Sequence, residues 1–192
     1  KNSAGKYAVI AALLSKMTGR PVKLMLDRKE EFYAAGHRPS SLQYVKVGVK
    51  KDGTLTAIYL KSIGGCGAYE SYFFPSRFSM IDALARPYRE LYDCPNVKTE
   101  VYPVFNNIPV HTAQRAPGHV EGTFALEQVM DQIAEKLGLD PIALRMKNYS
   151  LKDQVEGVPY TRKALDQCYR QGAENIGWED RNKSPVKKRA LI

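Results

Sequence analysis

Apolar residues recur at helical spacing near the start of the chain. Tyr7, Ile10, Ala11, Leu14 and Met17 fall on one side of a helix, because positions three and four apart are neighbours on a helical surface. Ser3 precedes them as a cap, and Gly19 follows as a stop. Gly19-Arg20-Pro21 then turns the chain into a short apolar run, Val22 to Leu26, which reads as a strand. Over residues 42–62 the period changes to two. Val45, Val47 and Val49 alternate with polar or small residues, Asp52-Gly53 supplies a turn that tolerates positive φ, and Leu55 to Leu60 returns. The alternation breaks at Gly64-Gly65-Cys66-Gly67, where the glycines permit a tight turn or a close backbone approach. Residues 70–93 carry aromatics and arginines without a period and read as a loop with short helices; Asn96 to Phe105 reads as a further strand.

The strongest helical stripe is Leu126, Val129, Met130, Ile133 and Leu137, with Glu127, Asp131 and Glu135 on the other side and Gly138 at the end. Asp140-Pro141 caps and opens a second helix that runs to about Asn148. A third amphipathic helix, from Thr161 to about Asn175, precedes a basic tail. Strands and helices in this order predict an α+β fold, an antiparallel hairpin and sheet packed on amphipathic helices. Residues 1–150 are expected to form its core and 151–192 a C-terminal helix and basic tail.

Composition narrows the class. A chain of 192 residues holds one large domain or two small ones, and 44% hydrophobic with 26% charged residues suits a globular protein. No apolar run approaches the length of a membrane span; the longest, Tyr7 to Leu14, lies in an amphipathic segment. The opening Lys1-Asn2-Ser3-Ala4-Gly5 has neither an initiator Met nor a signal-peptide pattern, and reads as part of a longer polypeptide. Cys66, Cys94 and Cys168 are odd in number and far apart. That spacing argues against a disulfide framework, a zinc ribbon or a cluster held by this chain alone, and points to a reducing compartment, the cytoplasm before the periplasm. The net charge of +9 raises nucleic acid as a partner, yet basic residues are interleaved with acidic ones except at Lys187-Lys188-Arg189. A basic module that binds nucleic acid or an acidic protein is the alternative function class; a salt-sensitive affinity for generic DNA would mark it.

Three histidines, His37, His111 and His119, lack metal-ligand spacing and are expected in surface or capping roles. No metal ligand is assigned. The segment Gln114-Arg115-Ala116-Pro117-Gly118 carries more. It places a guanidinium and small residues directly before the strongest helix, whose first N–H groups lack intrahelical partners. Such a place suits an anionic or polar cofactor. A loop whose arginine makes a structural salt bridge, for example to Glu121, fits the same residues equally well.

The order and spacing of many short runs identify the chain further. They are Gly19-Arg20-Pro21-Val22-Lys23-Leu24, Leu26-Asp27-Arg28-Lys29-Glu30, Gly36-His37-Arg38-Pro39, Lys51-Asp52-Gly53-Thr54-Leu55, Gly67-Ala68-Tyr69 and Pro95-Asn96-Val97. Gln114 to Gly118, Ala125-Leu126-Glu127, Met130-Asp131, Leu137 to Pro141 and Leu144 to Asn148 complete them. With these landmarks the chain resembles the molybdopterin-binding large subunit of the xanthine dehydrogenase and aldehyde oxidase family. The resemblance implies cofactor contact by Gln114, Arg115, Ala116 and Gly118, with Arg115 and Gly118 matching the family's Arg-x-x-Gly loop. It also implies a parent enzyme that oxidises an aldehyde or hydroxylates a carbon beside a heteroatom with oxygen from water. The molybdopterin cofactor would sit partly on this chain, and iron–sulfur clusters and FAD on other domains or subunits. The family's catalytic glutamate falls beyond Ile192, so no catalytic residue is assigned here and the isolated chain is expected to be inactive.

Departures from the family pattern bear on the substrate. Asn2 and Ser3 stand where purine hydroxylases carry a glutamate, Ala83 stands where they carry an arginine, with Arg86 nearby, and Pro117 replaces their stacking aromatic. Ala116 occupies the position of the copper-binding cysteine of carbon monoxide dehydrogenases. Aldehydes and N-heteroaromatics are therefore expected ahead of purines and carbon monoxide.

Overall fold

The computed structural model describes residues 5–68, 81–109, 111–112 and 114–182. Ser3, residues 69–80 of the irregular stretch and the basic tail from residue 183 lie outside the described residues. Helix α1 (Gly5–Thr18) and helix α2 (Arg28–Ala34) come first. Strands β1 (Ser41–Val49) and β2 (Leu55–Gly65) form the hairpin that the alternation predicts. They pair antiparallel, from Ser41 opposite Gly64 to Val49 opposite Leu55. The turn closes because Asp52 Oδ1 accepts the Thr54 N–H at 3.0 Å while Gly53 takes φ +86°, a conformation that favours glycine. Strand β3 (Val97–Val104) adds to β2 in parallel, giving the order β1-β2-β3.

A parallel neighbour demands a crossover, and the chain between β2 and β3 supplies it. Its described part is a 3-10 turn (Ala83–Ala85) running into helix α3 (Arg86–Glu90). This is not a surface loop. Leu84, Ala85 and Tyr88 are among the most buried side chains of the core, beside Leu55, Ile58 and Leu60 from β2. Helix α4 (His119–Leu137) closes the core with Leu126, Met130 and Ile133 buried, as its stripe predicts. Gly138 ends it in the left-handed conformation, an ordinary helix C-terminus. In helix α5 (Pro141–Lys147) the Asp140 carboxylate accepts from the Ile142 and Ala143 N–H groups, both at 2.9 Å. Arg145 pins α5 to α4. Burial works against its charge, but Glu127 at 2.7 Å and Asp131 at 2.8 Å outweigh that, and its pKa is raised.

Three expectations are corrected. Val22 to Leu26 is not a strand; extended backbone needs a ladder partner, and no edge of the sheet pairs with it among the described residues. The alternation does not stop at Gly64, because β2 runs on to Gly65. The glycines there are demanded from inside: a Cβ on Gly64 would lie 2.8 Å from the Ile81 side chain, and one on Gly65 would lie 2.4 Å from that of Asn106. The third C-terminal helix, α6 (Leu165–Asn175), begins four residues later than expected. Lys163, just before it, is held by the Ser150 carbonyl at 2.6 Å and lies over the rings of Tyr149 and Tyr160. Helix α1 forms where the spacing predicts it, and its stripe faces outward, with Ile10, Leu14 and Met17 exposed.

Candidate cofactor-binding site

Residues 114–118 lead into α4 along the edge of the core, and the four candidate residues there differ in what they touch. Gln114 turns inward: its amide nitrogen donates to the Gly36 carbonyl and to Thr112 Oγ1, each at 3.3 Å. Arg115 is exposed, and among the described residues its guanidinium has no ion-pair partner. Ala116 is exposed with φ +54°, the only non-glycine residue at positive φ among those described. Such backbone strain persists only where the surroundings enforce it and concentrates at functional sites. Gly118 is buried at φ +76°, and an added Cβ would lie 2.3 Å from the carbonyl carbon of Ala83. Its glycine is required by packing against the 3-10 turn, and the same residue leaves α4 without a side-chain cap.

Glu121 does not answer Arg115, as the salt-bridge reading supposed. Arg38 takes that place from another part of the chain. Its Nη1 lies 3.5 Å from both carboxylate oxygens of Glu121 and 3.4 Å from the Ala116 carbonyl, and its Nη2 donates to the Arg115 carbonyl. Gln43 on β1 adds a second tie, donating to the Glu121 carbonyl at 2.9 Å while accepting from the Tyr88 hydroxyl at 3.0 Å. The start of α4 is thereby held by the 36–38 segment on one side and the sheet on the other. Gly36 also lines a cleft of about 600 Å³ with Lys6, Tyr33, Ala68 and Ile108. Sequence reasoning placed Arg38 among the landmarks but not in the site; its partners lie 77 to 83 residues away, beyond any local pattern.

His111 departs from the expected surface or capping role. It is 3% exposed, pairs with His37 in a short parallel bridge, and joins its Nε2 to the Gly65 carbonyl. It thereby fastens the segment that precedes the loop to the end of β2. His37 is half-buried and accepts the Thr112 N–H on its carbonyl, and His119 opens α4 partly exposed.

Residues 1–149 match the family model described as molybdopterin cofactor-binding domain. The chain belongs to this family. Among its relatives is the aldehyde oxidoreductase molybdenum-binding subunit PaoC of Escherichia coli, 32% identical over 179 residues, which are 93% of this chain and 23% of that protein. The xanthine dehydrogenase molybdenum-binding subunit of Escherichia coli O157:H7 is 31% identical over 176 residues, 89% of this chain and 23% of its own. A crystal structure of quinoline 2-oxidoreductase from Pseudomonas putida superposes with a TM-score of 0.78 at 25% identity, covering 96% of this chain and 24% of that one. The α+β arrangement is thus that of a molybdopterin cofactor-binding domain, and the chain spans about a quarter of the length of these relatives. The matched stretch contains the whole 114–118 loop together with Arg38, His111 and Glu121.

Proposed function

We propose that this molybdopterin cofactor-binding domain lends its 114–118 loop to the pocket of a molybdenum hydroxylase. The observation that carries the reading is an exposed guanidinium at Arg115, unpaired among the described residues, beside the uncapped start of a 19-residue helix. Donors of both kinds suit the anionic oxygens of a pterin cofactor: the helix start, which no side chain caps, through its dipole, the guanidinium through its planar fork. Ala116 keeps the approach open, and its strained φ fits a binding loop. Gln114 and Gly118 serve at one remove, by fixing the loop to Gly36 and to Ala83. The cofactor, when bound, supplies the redox centre; the residues of this chain bind and orient it.

The parent reaction is the oxidation of an aldehyde or the hydroxylation of an N-heteroaromatic, with oxygen from water. Names among the relatives support both classes, aldehyde oxidoreductase and quinoline 2-oxidoreductase. A purine is disfavoured by Ala83, which is buried with its methyl group turned toward Gly118 and leaves no place for an arginine. The remainder of a large subunit and domains or subunits with iron–sulfur clusters and FAD complete the enzyme in this reading.

Arg115 tests it. A charge-assisted hydrogen bond contributes roughly 1.5–3 kcal/mol, on the order of tenfold or more in affinity. In the full-length polypeptide, Arg115→Lys is expected to lower molybdenum content or turnover with little change in melting temperature, and Arg115→Ala to lower it further. Full molybdenum occupancy and normal turnover in Arg115→Ala would end the cofactor role of the loop.

A further inference from the structure

We infer that Arg38 is the positioning residue of the 114–118 loop, aiming the Ala116 N–H and the Arg115 side chain outward at the ligand. The inference rests on the cofactor reading above and adds a residue and a device to it.

The argument begins with the peptide plane. A trans peptide sets its C=O and N–H on opposite sides of the chain. Arg38 binds the carbonyl of Arg115 through Nη2 and that of Ala116 through Nη1. The first of these carbonyls shares its peptide with the Ala116 N–H, so fixing it against Arg38 turns that N–H to the opposite side. The second shares its peptide with Pro117, which has no N–H to offer. The clamp therefore presents one backbone donor, Ala116, and among the described residues that N–H has no acceptor.

The geometry of Ala116 agrees with a clamp. Its φ of +54° is disfavoured for any residue with a Cβ, so something must hold it. Arg38 does so from one side, and the His119 N–H, 3.2 Å from the same Ala116 carbonyl, does so from the other. Arg38 is itself held in place, because Glu121 in the first turn of α4 lies within 3.5 Å of it and is only 11% exposed. That pairing has a second effect. An acidic residue at a helix start would oppose an anionic ligand; paired with Arg38, Glu121 is neutralised, and the guanidinium of Arg115 is left as the unopposed charge of the loop. A planar fork that grips two carbonyls and a carboxylate together is a task for arginine that lysine cannot copy.

Two substitutions test this in the full-length polypeptide carrying these residues. Arg38→Met removes the clamp and the charge pair. Arg38→Lys keeps a charge for Glu121 but cannot hold both carbonyls. Amide exchange at His119, whose N–H is bonded to the clamped Ala116 carbonyl, measured without cofactor, is expected to rise at least tenfold in both variants, with exchange at Ile58 and Leu60 in the core unchanged. Molybdenum and released pterin per folded polypeptide are expected to fall severalfold in both. Unchanged exchange in the loop would overturn the inference, as would an equal rise in loop and core, which marks a merely structural arginine. A loosened loop with full molybdenum and pterin content would also overturn it. The cofactor reading itself fails separately, through full occupancy in Arg115→Ala, so the two failures are distinguishable.

Discussion

Gly118 is the residue at which chain direction, packing and the candidate site meet. At φ +76° a methyl group on the backbone is strained, and here it would also lie 2.3 Å from the Ala83 carbonyl carbon and 2.5 Å from the Leu84 nitrogen. Both obstacles are backbone in a buried turn, so neither can rotate away. Gly19 makes the natural control: its φ is +62°, and a Cβ there meets nothing within 4 Å. Gly19→Ala is expected to cost about 1 kcal/mol for the backbone alone, whereas Gly118→Ala adds overpacking and is expected to cost about 2–4 kcal/mol. Urea midpoints of the two variants decide it, and equal midpoints would rule out the close approach. The glycine was legible in the sequence, but its reason was not. A small residue before a helix suggests room for a ligand, and only the fold reveals that the room is filled by residues 83–84. His111 teaches the same lesson, since a histidine without partners at fixed offsets reads as a surface residue. Its burial follows from the His37 bridge and the Gly65 carbonyl, contacts that no local spacing encodes.

Among the elements, the hairpin of β1 and β2 carries its own instructions. Period-two valines and an Asp-Gly turn are local signals, and the structure follows them. The turn also contains a testable charge. The Thr54 N–H, the Lys147 ammonium at 3.1 Å and the Thr54 hydroxyl hold the Asp52 carboxyl well below its ordinary 3.8, at about 2. A carboxylate with a depressed folded pKa stabilises the fold above its unfolded value and loses that contribution as pH falls through the folded one. The tie between the turn and α5 is therefore expected to be intact above about pH 4 and to fade as the pH approaches 2. The chemical shift of the Thr54 amide reports it. A midpoint near 3.8 would mean that the contacts do not hold in solution, and Asp52→Asn should flatten the transition. Helix α2 shows the limit of the same local logic. Its capping box, Asp27 with Glu30, is formed in the structure, yet no helix is read there from the sequence, because seven residues give too short a stripe to announce one. The run Val22 to Leu26 fails in the opposite way: its apolar character is local, whereas a strand exists only where a partner arrives.

At the scale of the whole molecule the balance of apolar surface is unusual. Val9, Leu13 and Met17 on α1 are 55–80% exposed, and α1 has no buried side chain among the described residues. The outward face of the sheet presents Leu42 and Tyr44 on β1 with Tyr102 and Val104 on β3, all exposed. Contiguous apolar surface of this kind marks an interface or an association hazard. The chain spans only 23% of PaoC, and in the proposed enzyme the remainder of the large subunit covers these faces. Two consequences follow for the 192-residue chain on its own. It should self-associate as concentration rises and bind a hydrophobic dye. It should also hold far less than one molybdenum per chain, because a small polar ligand needs polar groups converging from several segments and this chain contributes one loop. Leu13→Lys with Leu42→Lys separates surface from stability. Both side chains are exposed, so the pair is expected to reduce association in sedimentation while leaving the melting temperature nearly unchanged. A chain that stays monomeric without dye binding would show that these faces need no cover, and stoichiometric molybdenum in the isolated chain would show that one loop suffices.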